Sequence, residues 1–262
     1  MRARPRSLLN TADIELWPAW LLRARGSADA RTIARADWVL RRKRDGRYLA
    51  ASLPQGLLPL LPRWMRGVDS DAALDALAGA DGPAKGELPL DKLLHRLHAL
   101  GLDEGYGERT GLDLVSEPAS LALAGFDRYR RPLWLAAGAA RAWNSMHRAA
   151  HRDGVVLDAI SGYRSHDYQL GIFERKLARG QTVEQILTVN AAPGYSEHHS
   201  GNALDIGTPG EPPAEESFEK TDAFAWLTNN AGIFGFRMSY PRDNPHGIVY
   251  EPWHWYFVDH RG

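Results

Sequence analysis

The stretch "PGYSEHHSGNALDIG", residues 193–207, sets two histidines side by side and places an aspartate seven positions after the first. Its second half, "GNALDIG", reads as a short strand, and Asp205 stands inside the apolar run "ALDI". An aspartate buried without a partner costs several kcal/mol, so this one needs a reason to be there. Working outward, "VVLDAIS" (155–161) reads as another strand and "GIVYEPWHWYFV" (247–258) as a final one, almost uniformly apolar and aromatic. Helices alternate with these strands. "RPLWLAAGAARAWNSMHRAAHRDG" reads as a long helix opening at Pro132 and stopped at Gly154. "SHDYQLGIFERKLARG" is opened by Ser165 and closed by Gly180, "TVEQILTV" is a short helix, and "TDAFAWLTNNAGIFGF" is capped by Thr221. A few strands with helices before and between them predict an α+β fold built on a small antiparallel sheet.

The N-terminal part reads differently. "DWVLRRKRDGRYLAAS" predicts two strands around an Asp45–Gly46 turn. "LPQGLLPLLPRWM" holds too many prolines for a long helix, while "SDAALDALAGA" and "PLDKLLHRLHALGL" read as short helices. Turn-rich stretches occur at 81–87 and 103–111. The second sets the expected boundary, with residues 1–115 as an accessory α+β unit of unknown role and 116–262 as the main domain.

Composition sets limits. At 262 residues the chain is long enough for one sizeable domain plus an appendage. Apolar content of 44% and charged content of 24% place it among ordinary globular chains. Formal net charge is zero, so nothing draws the whole molecule to nucleic acid or to a membrane surface. Residues 1–50 hold eleven Arg and one Lys against five acids, 12 − 5 = +7, and the remainder carries −7. A solvated face on an Arg-rich unit is the favoured reading of that excess, with a partner- or polyanion-binding unit as the alternative. The absence of cysteine excludes disulfides, thiolate zinc sites and cysteine nucleophiles. The basic N-terminus is followed by an apolar run broken by Asp13, Glu15 and Pro18, which reads as lacking an export signal. The expected compartment is therefore the cytoplasm, with periplasm or cell envelope as alternatives. No segment approaches the ~18 apolar residues of a membrane span.

Three stretches collect polar groups that packing does not explain: 193–207, "SGYRSHDYQ" (161–169) and "EPWHW" (251–255). An acid and a histidine within so aromatic a run would each be costly if unpaired, and one shared metal removes that cost. Zinc takes three protein N/O ligands in a catalytic site and leaves a fourth position open. His198, Asp205 and His254 are the available set, two imidazoles and a carboxylate. Glu251 stands three residues before His254, close enough to act as a base on a metal-activated water without being a ligand. Residues three apart on an ideal strand face opposite sides, so Glu251 and His254 converge only if the strand is irregular, and Pro252 offers the break. Gly201 lets the backbone fold between His198 and Asp205.

"SEHHSGNALD" resembles the Ser-x-His-x-x-Gly-x-Ala-x-Asp signature of VanY-type D-alanyl-D-alanine carboxypeptidases, in the wider lysostaphin, DD-carboxypeptidase and Sonic hedgehog metallopeptidase group. "EPWHW" resembles that family's Glu-x-x-His element and "SGYRS…Q" its arginine-bearing element, so the likeness covers roughly residues 118–258. It implies Zn2+ on His198, Asp205 and His254, with Glu251 as general base. Arg164 would stabilise the oxyanion or anchor the substrate carboxylate, since a guanidinium stays charged and presents a fork of donors. Gln169 and Ser196 would line the substrate end. The implied activity is removal of C-terminal D-alanine from peptidoglycan stem peptides or muropeptides by attack of zinc-bound hydroxide. L,D-carboxypeptidase, D,D-dipeptidase and endopeptidase action are alternatives, as is a non-catalytic peptidoglycan-binding module. His199 departs from the expected pattern and stays open as rival ligand, outer-shell donor or rim residue. His95 with His98, His147 with His151, His166 with Asp167, and His246 read as surface, packing or cleft-flanking residues. The nine tryptophans read as core and cleft wall.

Overall fold

The computed structural model describes residues 4–67, 69–81, 86–102 and 105–258. Parts of both turn-rich stretches, residues 82–85 and 103–104, lie outside the described residues. The chain divides into two compact units, residues 1–88 with 118–123, and 89–117 with 124–262.

The first unit is an antiparallel sheet. Its strands are β1 (Ser7–Asn10), β2 (Ile14–Pro18), β3 (Trp38–Arg42), β4 (Tyr48–Leu53) and β5 (Gly56–Pro59), with the start of β6 (Ser120–Phe126) beside β1. Helices α1 (Ser27–Arg35) and α2 (Asp69–Ala78) complete it. The predicted hairpin forms: Gly46 adopts φ +69° and donates its N–H to the Arg42 carbonyl at 2.9 Å. Ile14, Leu16, Leu40 and Leu49 are fully buried and pack with Ala73 of α2.

The second unit takes α3 (Asp91–Ala99) and α4 (Gly105–Thr110) as well as everything from Ala124 onward. The expected boundary at 115/116 is thus displaced by nearly thirty residues. The reason is hydrophobic. Leu93 and Leu97 of α3, with Leu102 and Tyr106, are buried in one cluster with Leu170, Tyr195 and Tyr240. Each such side chain removed from water contributes about 1.5–3 kcal/mol, so the two helices are held as core of this unit. Two hydrogen bonds add to this: the Ala192 N–H donates to the Tyr106 hydroxyl at 3.2 Å and the Val115 N–H to the Gly194 carbonyl at 2.7 Å.

Its remaining elements are β7 (Pro132–Leu135), beside the end of β6, α5 (Ala137–Arg152), β8 (Asp158–Ser161), α6 (His166–Leu177), α7 (Val183–Leu187), β9 (Ala203–Gly207), α8 (Asp222–Asn230), β10 (Phe236–Met238) and β11 (His254–Phe257). Four strands form an antiparallel sheet in the order β10-β11-β9-β8. Two expectations are corrected. The long helix starts at Ala137 rather than Pro132, because "PLWL" is a strand whose Trp134 carbonyl accepts the Tyr163 N–H at 2.9 Å. The last strand covers only His254–Phe257, since Glu251 to His254 is a turn closed by a 3.1 Å bond from the His254 N–H to the Glu251 carbonyl. The caps expected at Ser165 and Thr221 form, each accepting a backbone N–H from the first turn, and Thr182 caps α7 in the same way. Among the described residues no helix is long and apolar enough to cross a membrane.

Candidate metal centre

Sheet register assembles the centre. His254 lies directly opposite Asp205 on the antiparallel pair β11–β9, and Asp205 lies opposite Ser161 on β8. Opposite residues share a face, so the carboxylate and the imidazole point the same way. A short 3-10 turn, Glu197–Ser200, brings His198 to them. Gly201 closes that turn with φ +71°, where a side chain would be strained. His198, Asp205 and His254 are 1%, 7% and 2% exposed, and one donor atom from each lies within 4.8 Å of the others.

The partners fix the tautomers. His198 Nδ1 stands 2.7 Å from the Gly162 carbonyl, an acceptor, so Nδ1 carries the proton and Nε2 keeps its lone pair. Gly162 can be nothing larger: a Cβ there would meet the Trp134 carbonyl at 2.7 Å and Leu133 Cδ1 at 2.9 Å. His254 Nε2 stands 2.8 Å from a Glu197 carboxylate oxygen, which leaves Nδ1 facing inward. His198 Nε2 is then 3.2 Å and His254 Nδ1 3.1 Å from the same oxygen of Asp205. Three electron-rich atoms converge in a buried place. Such a set fits a cation with N and O preference, and its composition is that of a catalytic zinc site.

The electrostatics of the protein alone agree. Burial lowers the His254 pKa, but hydrogen bonds and charge from Asp205 and Glu197 outweigh it and push it up to about 10. Burial and the nearby Arg164 push His198 down to about 4. Burial would raise Asp205, yet His198, His254 and Arg164 hold it well below the usual carboxylate range. Positive charge is thus drawn to the middle of the set, and a proton on His254 takes it when no metal does. Glu251 is 3.8 Å from His254 Nδ1 and is not one of the three converging donors. Burial pushes its carboxyl up to about 7, the range suited to a general base.

A cavity of about 340 Å³ opens over this set. Arg164, Gln169 and Ser196 all line it, together with Lys176, Tyr240, Glu251 and Trp253. Arg164 reaches to 3.6 Å from the second Asp205 oxygen, and its Nε is buried without a partner. Gln169 donates from Nε2 to the Ala191 carbonyl at 3.1 Å, while its Oε1 is buried and unpartnered.

His199 lies behind the centre. Its Nε2 accepts the Gly194 N–H at 3.0 Å, so Nδ1 bears the proton and donates to the Arg164 carbonyl at 2.7 Å. Burial and the adjacent His166 hold its pKa well below the ordinary value. A neutral ring satisfies both contacts, so this residue is an outer support of the Arg164 backbone. His166 stacks edge-on at 4.4 Å, and its N–H donates to Glu117, which also accepts the Tyr163 hydroxyl proton. His246 lines a separate cavity and stands 2.8 Å from the Thr110 carbonyl. His95 and His98 are exposed, as are His147 and His151 on α5.

Glu197, Glu117 and Tyr240 were not singled out by residue type or spacing. Glu197 had a usable signal, an acid adjoining the histidine pair, but its contact with His254 joins positions 57 apart. Tyr240 lies with its ring 4.8 Å from His254, a tertiary contact that "RMSYP" does not announce.

An α+β unit in which a sheet register and one turn converge two histidines and an aspartate under an open cavity has the architecture of a metallohydrolase. Residues 132–260 match the model of the VanY D-alanyl-D-alanine carboxypeptidase family. The chain is 34% identical over 156 residues to a putative carboxypeptidase, YodJ, of Bacillus subtilis, covering 54% of each chain. It is 30% identical over 149 residues to the bifunctional D-Ala-D-Ala dipeptidase and D-Ala-D-Ala carboxypeptidase VanXYC of Enterococcus gallinarum, covering 54% of this chain and 75% of that one. The solved structure of the LdcB LD-carboxypeptidase superposes with a TM-score of 0.51 at 32% identity, over 54% of this chain and 69% of the other. The chain belongs to the VanY family. It spans about half the length of the first of these relatives.

Proposed function

We propose that this protein is a zinc-dependent D,D-carboxypeptidase that removes C-terminal D-alanine from peptidoglycan stem peptides. The observation that carries the reading is the convergence of His198 Nε2, Asp205 Oδ1 and His254 Nδ1 beside an unliganded, raised-pKa Glu251. Those three atoms would hold zinc, which supplies Lewis acidity toward a water and a carbonyl oxygen.

The residues divide the work. Glu251, as carboxylate, takes a proton from the attacking water as its oxygen bonds to the penultimate residue's carbonyl carbon. The same proton passes to the leaving amine as the C–N bond breaks, so the products are a shortened peptide acid and free D-alanine. Arg164 offers its fork to the oxygen that gains charge, or to the substrate's terminal carboxylate. His199, by holding the Arg164 carbonyl, keeps that guanidinium aimed at the cavity. Gln169 and Ser196 line the cavity that takes the peptide.

A second reading, L,D-carboxypeptidase action on tetrapeptide stems, is supported by the likeness to the LdcB LD-carboxypeptidase. Dipeptidase or endopeptidase action would use the same groups, while mere peptidoglycan binding ranks lower, because binding alone needs no base beside the metal. Residues 89–117 with 124–262 form the proposed peptidase domain. The other unit is proposed as accessory, and the cytoplasm as the compartment, which fractionation of expressing cells checks. Mass spectrometry of products from synthetic pentapeptide and tetrapeptide stems, with and without chelator, tests the main reading. Loss of one alanine from the pentapeptide, abolished by chelator and restored by Zn2+, is expected; no loss from either peptide by zinc-loaded protein overturns it.

A further inference from the structure

Helix α6 carries two cavity residues on one face. Gln169 and Lys176 are seven positions apart, two turns, or about 10.5 Å along the axis. Both line the cavity that opens over His198, Asp205 and His254. Lys176 has no hydrogen-bond or ion-pair partner among the described residues. The acid nearest to it in sequence, Glu174, is instead 3.8 Å from Arg96. Partial burial draws the Lys176 ammonium pKa down, the cost of a charge held from water with nothing opposite it. Gln169 is 2% exposed, and its Oε1 is buried and unpartnered. Glu251 and Asp205 line the same cavity, and there Asp205 has Arg164 beside it at 3.6 Å, whereas Lys176 has no such partner.

We propose that Lys176 forms an anion subsite that takes a carboxylate carried by the peptide substrate upstream of the scissile bond, while Gln169 Oε1 accepts a peptide N–H between them. The spacing supports this. An extended peptide advances about 3.3–3.6 Å per residue, so 10.5 Å corresponds to about three residues. An ammonium paired with a carboxylate at that distance selects among peptides by their side groups and leaves the reacting atoms untouched. The inference rests on the peptidase reading above and adds a specificity to it.

The test compares two pentapeptides, L-Ala-γ-D-Glu-meso-diaminopimelyl-D-Ala-D-Ala with free side carboxylates and the same peptide with those carboxylates amidated. The zinc-loaded full chain is expected to prefer the free acid by about tenfold in kcat/KM, mostly through KM, and the preference should shrink with added salt. Lys176→Ala should bring the ratio toward one, Lys176→Glu should invert it, and Lys176→Arg should keep it. Equal turnover of the two peptides by the wild type, or a preference that survives Lys176→Ala, overturns the proposal. If neither peptide is cleaved, the peptidase reading fails, and calorimetry of the same peptides on the Glu251→Gln protein still decides the subsite. Tighter binding of the free acid that disappears on adding Lys176→Ala supports it, and equal binding rejects it.

Discussion

Two buried polar clusters, one in each unit, are satisfied in different ways. In the first, Lys43 is 4% exposed, and its ammonium donates to Asn10 Oδ1 at 3.1 Å and to the Thr11 carbonyl at 3.0 Å. Glu15, 2% exposed, accepts from Trp17 Nε1 at 2.8 Å and from Arg41 at 2.7 Å. Charge is met by complementary donors and acceptors, and these contacts tie strands together. At the metal centre of the second unit two imidazole nitrogens and a carboxylate oxygen converge instead, and Gln169 Oε1 nearby in the cavity lining is buried with no partner. The difference separates polar burial that serves the fold from polar burial held in readiness for something else.

That contrast can be broken at its strongest point first. Glu251→Gln should lower kcat by about 10²–10⁴ with zinc content unchanged by elemental analysis. The wild-type kcat/KM should fall as pH drops, because the base must be ionised and burial raises its pKa above the ordinary carboxylate range. The same substitution should stabilise the chelator-treated protein. The raised pKa means the folded chain keeps a proton that the unfolded chain loses between the ordinary carboxylate range and about 7, so stability falls as pH rises through that window. Gln removes the penalty, worth up to about 3 kcal/mol at pH 8 in denaturant titrations.

Next in size, Glu197→Gln should weaken zinc about 10–100-fold in competition with a chromophoric chelator, since it removes the negative charge that holds the proton on His254 Nε2 and makes the ring a stronger donor to the metal. His199→Ala should cost about tenfold in kcat through Arg164 while zinc affinity holds, because one hydrogen bond to that backbone carbonyl is lost. An equal loss of zinc would instead make His199 part of the metal shell. Smallest in its effect on turnover is Lys43→Met, in the first unit. It should cost about 1–3 kcal/mol in stability, because Asn10 Oδ1 and the Thr11 carbonyl lose a buried donor, with turnover and zinc content unmoved. A change in zinc content there would erase the distinction between the two kinds of burial.

The site was legible because its chemistry is local in sequence. Asp205 in "ALDI" and His254 in "EPWHW" are anomalous in apolar surroundings, and their spacing matches a family signature. What converges them, the β9–β11 register, was not legible, nor was the turn that carries Glu251, although Pro252 marked where it had to be. The strand "PLWL" was hidden because its apolar residues continue smoothly into the periodicity of α5. The boundary at 115 misled for a related reason. Helix α3 shows an apolar face but not which surface it meets, and only the structure places Leu93 and Leu97 with Tyr195 and Tyr240. His199 stayed ambiguous because its task depends on two backbone groups, at Gly194 and Arg164, that leave no mark in side-chain identity.

The pairing of His254 with Asp205 has a further consequence. A strand that slips by one residue turns every side chain to the opposite face, so a misregistered β9–β11 pair would present Leu204 or Trp255 where a ligand belongs. Metal uptake would thereby favour the correct register. Only correctly registered molecules gain the binding energy, which at one hundred times the dissociation constant amounts to about 2.7 kcal/mol. Cells short of the metal would then be left with a population less able to tell the right sheet from the wrong one.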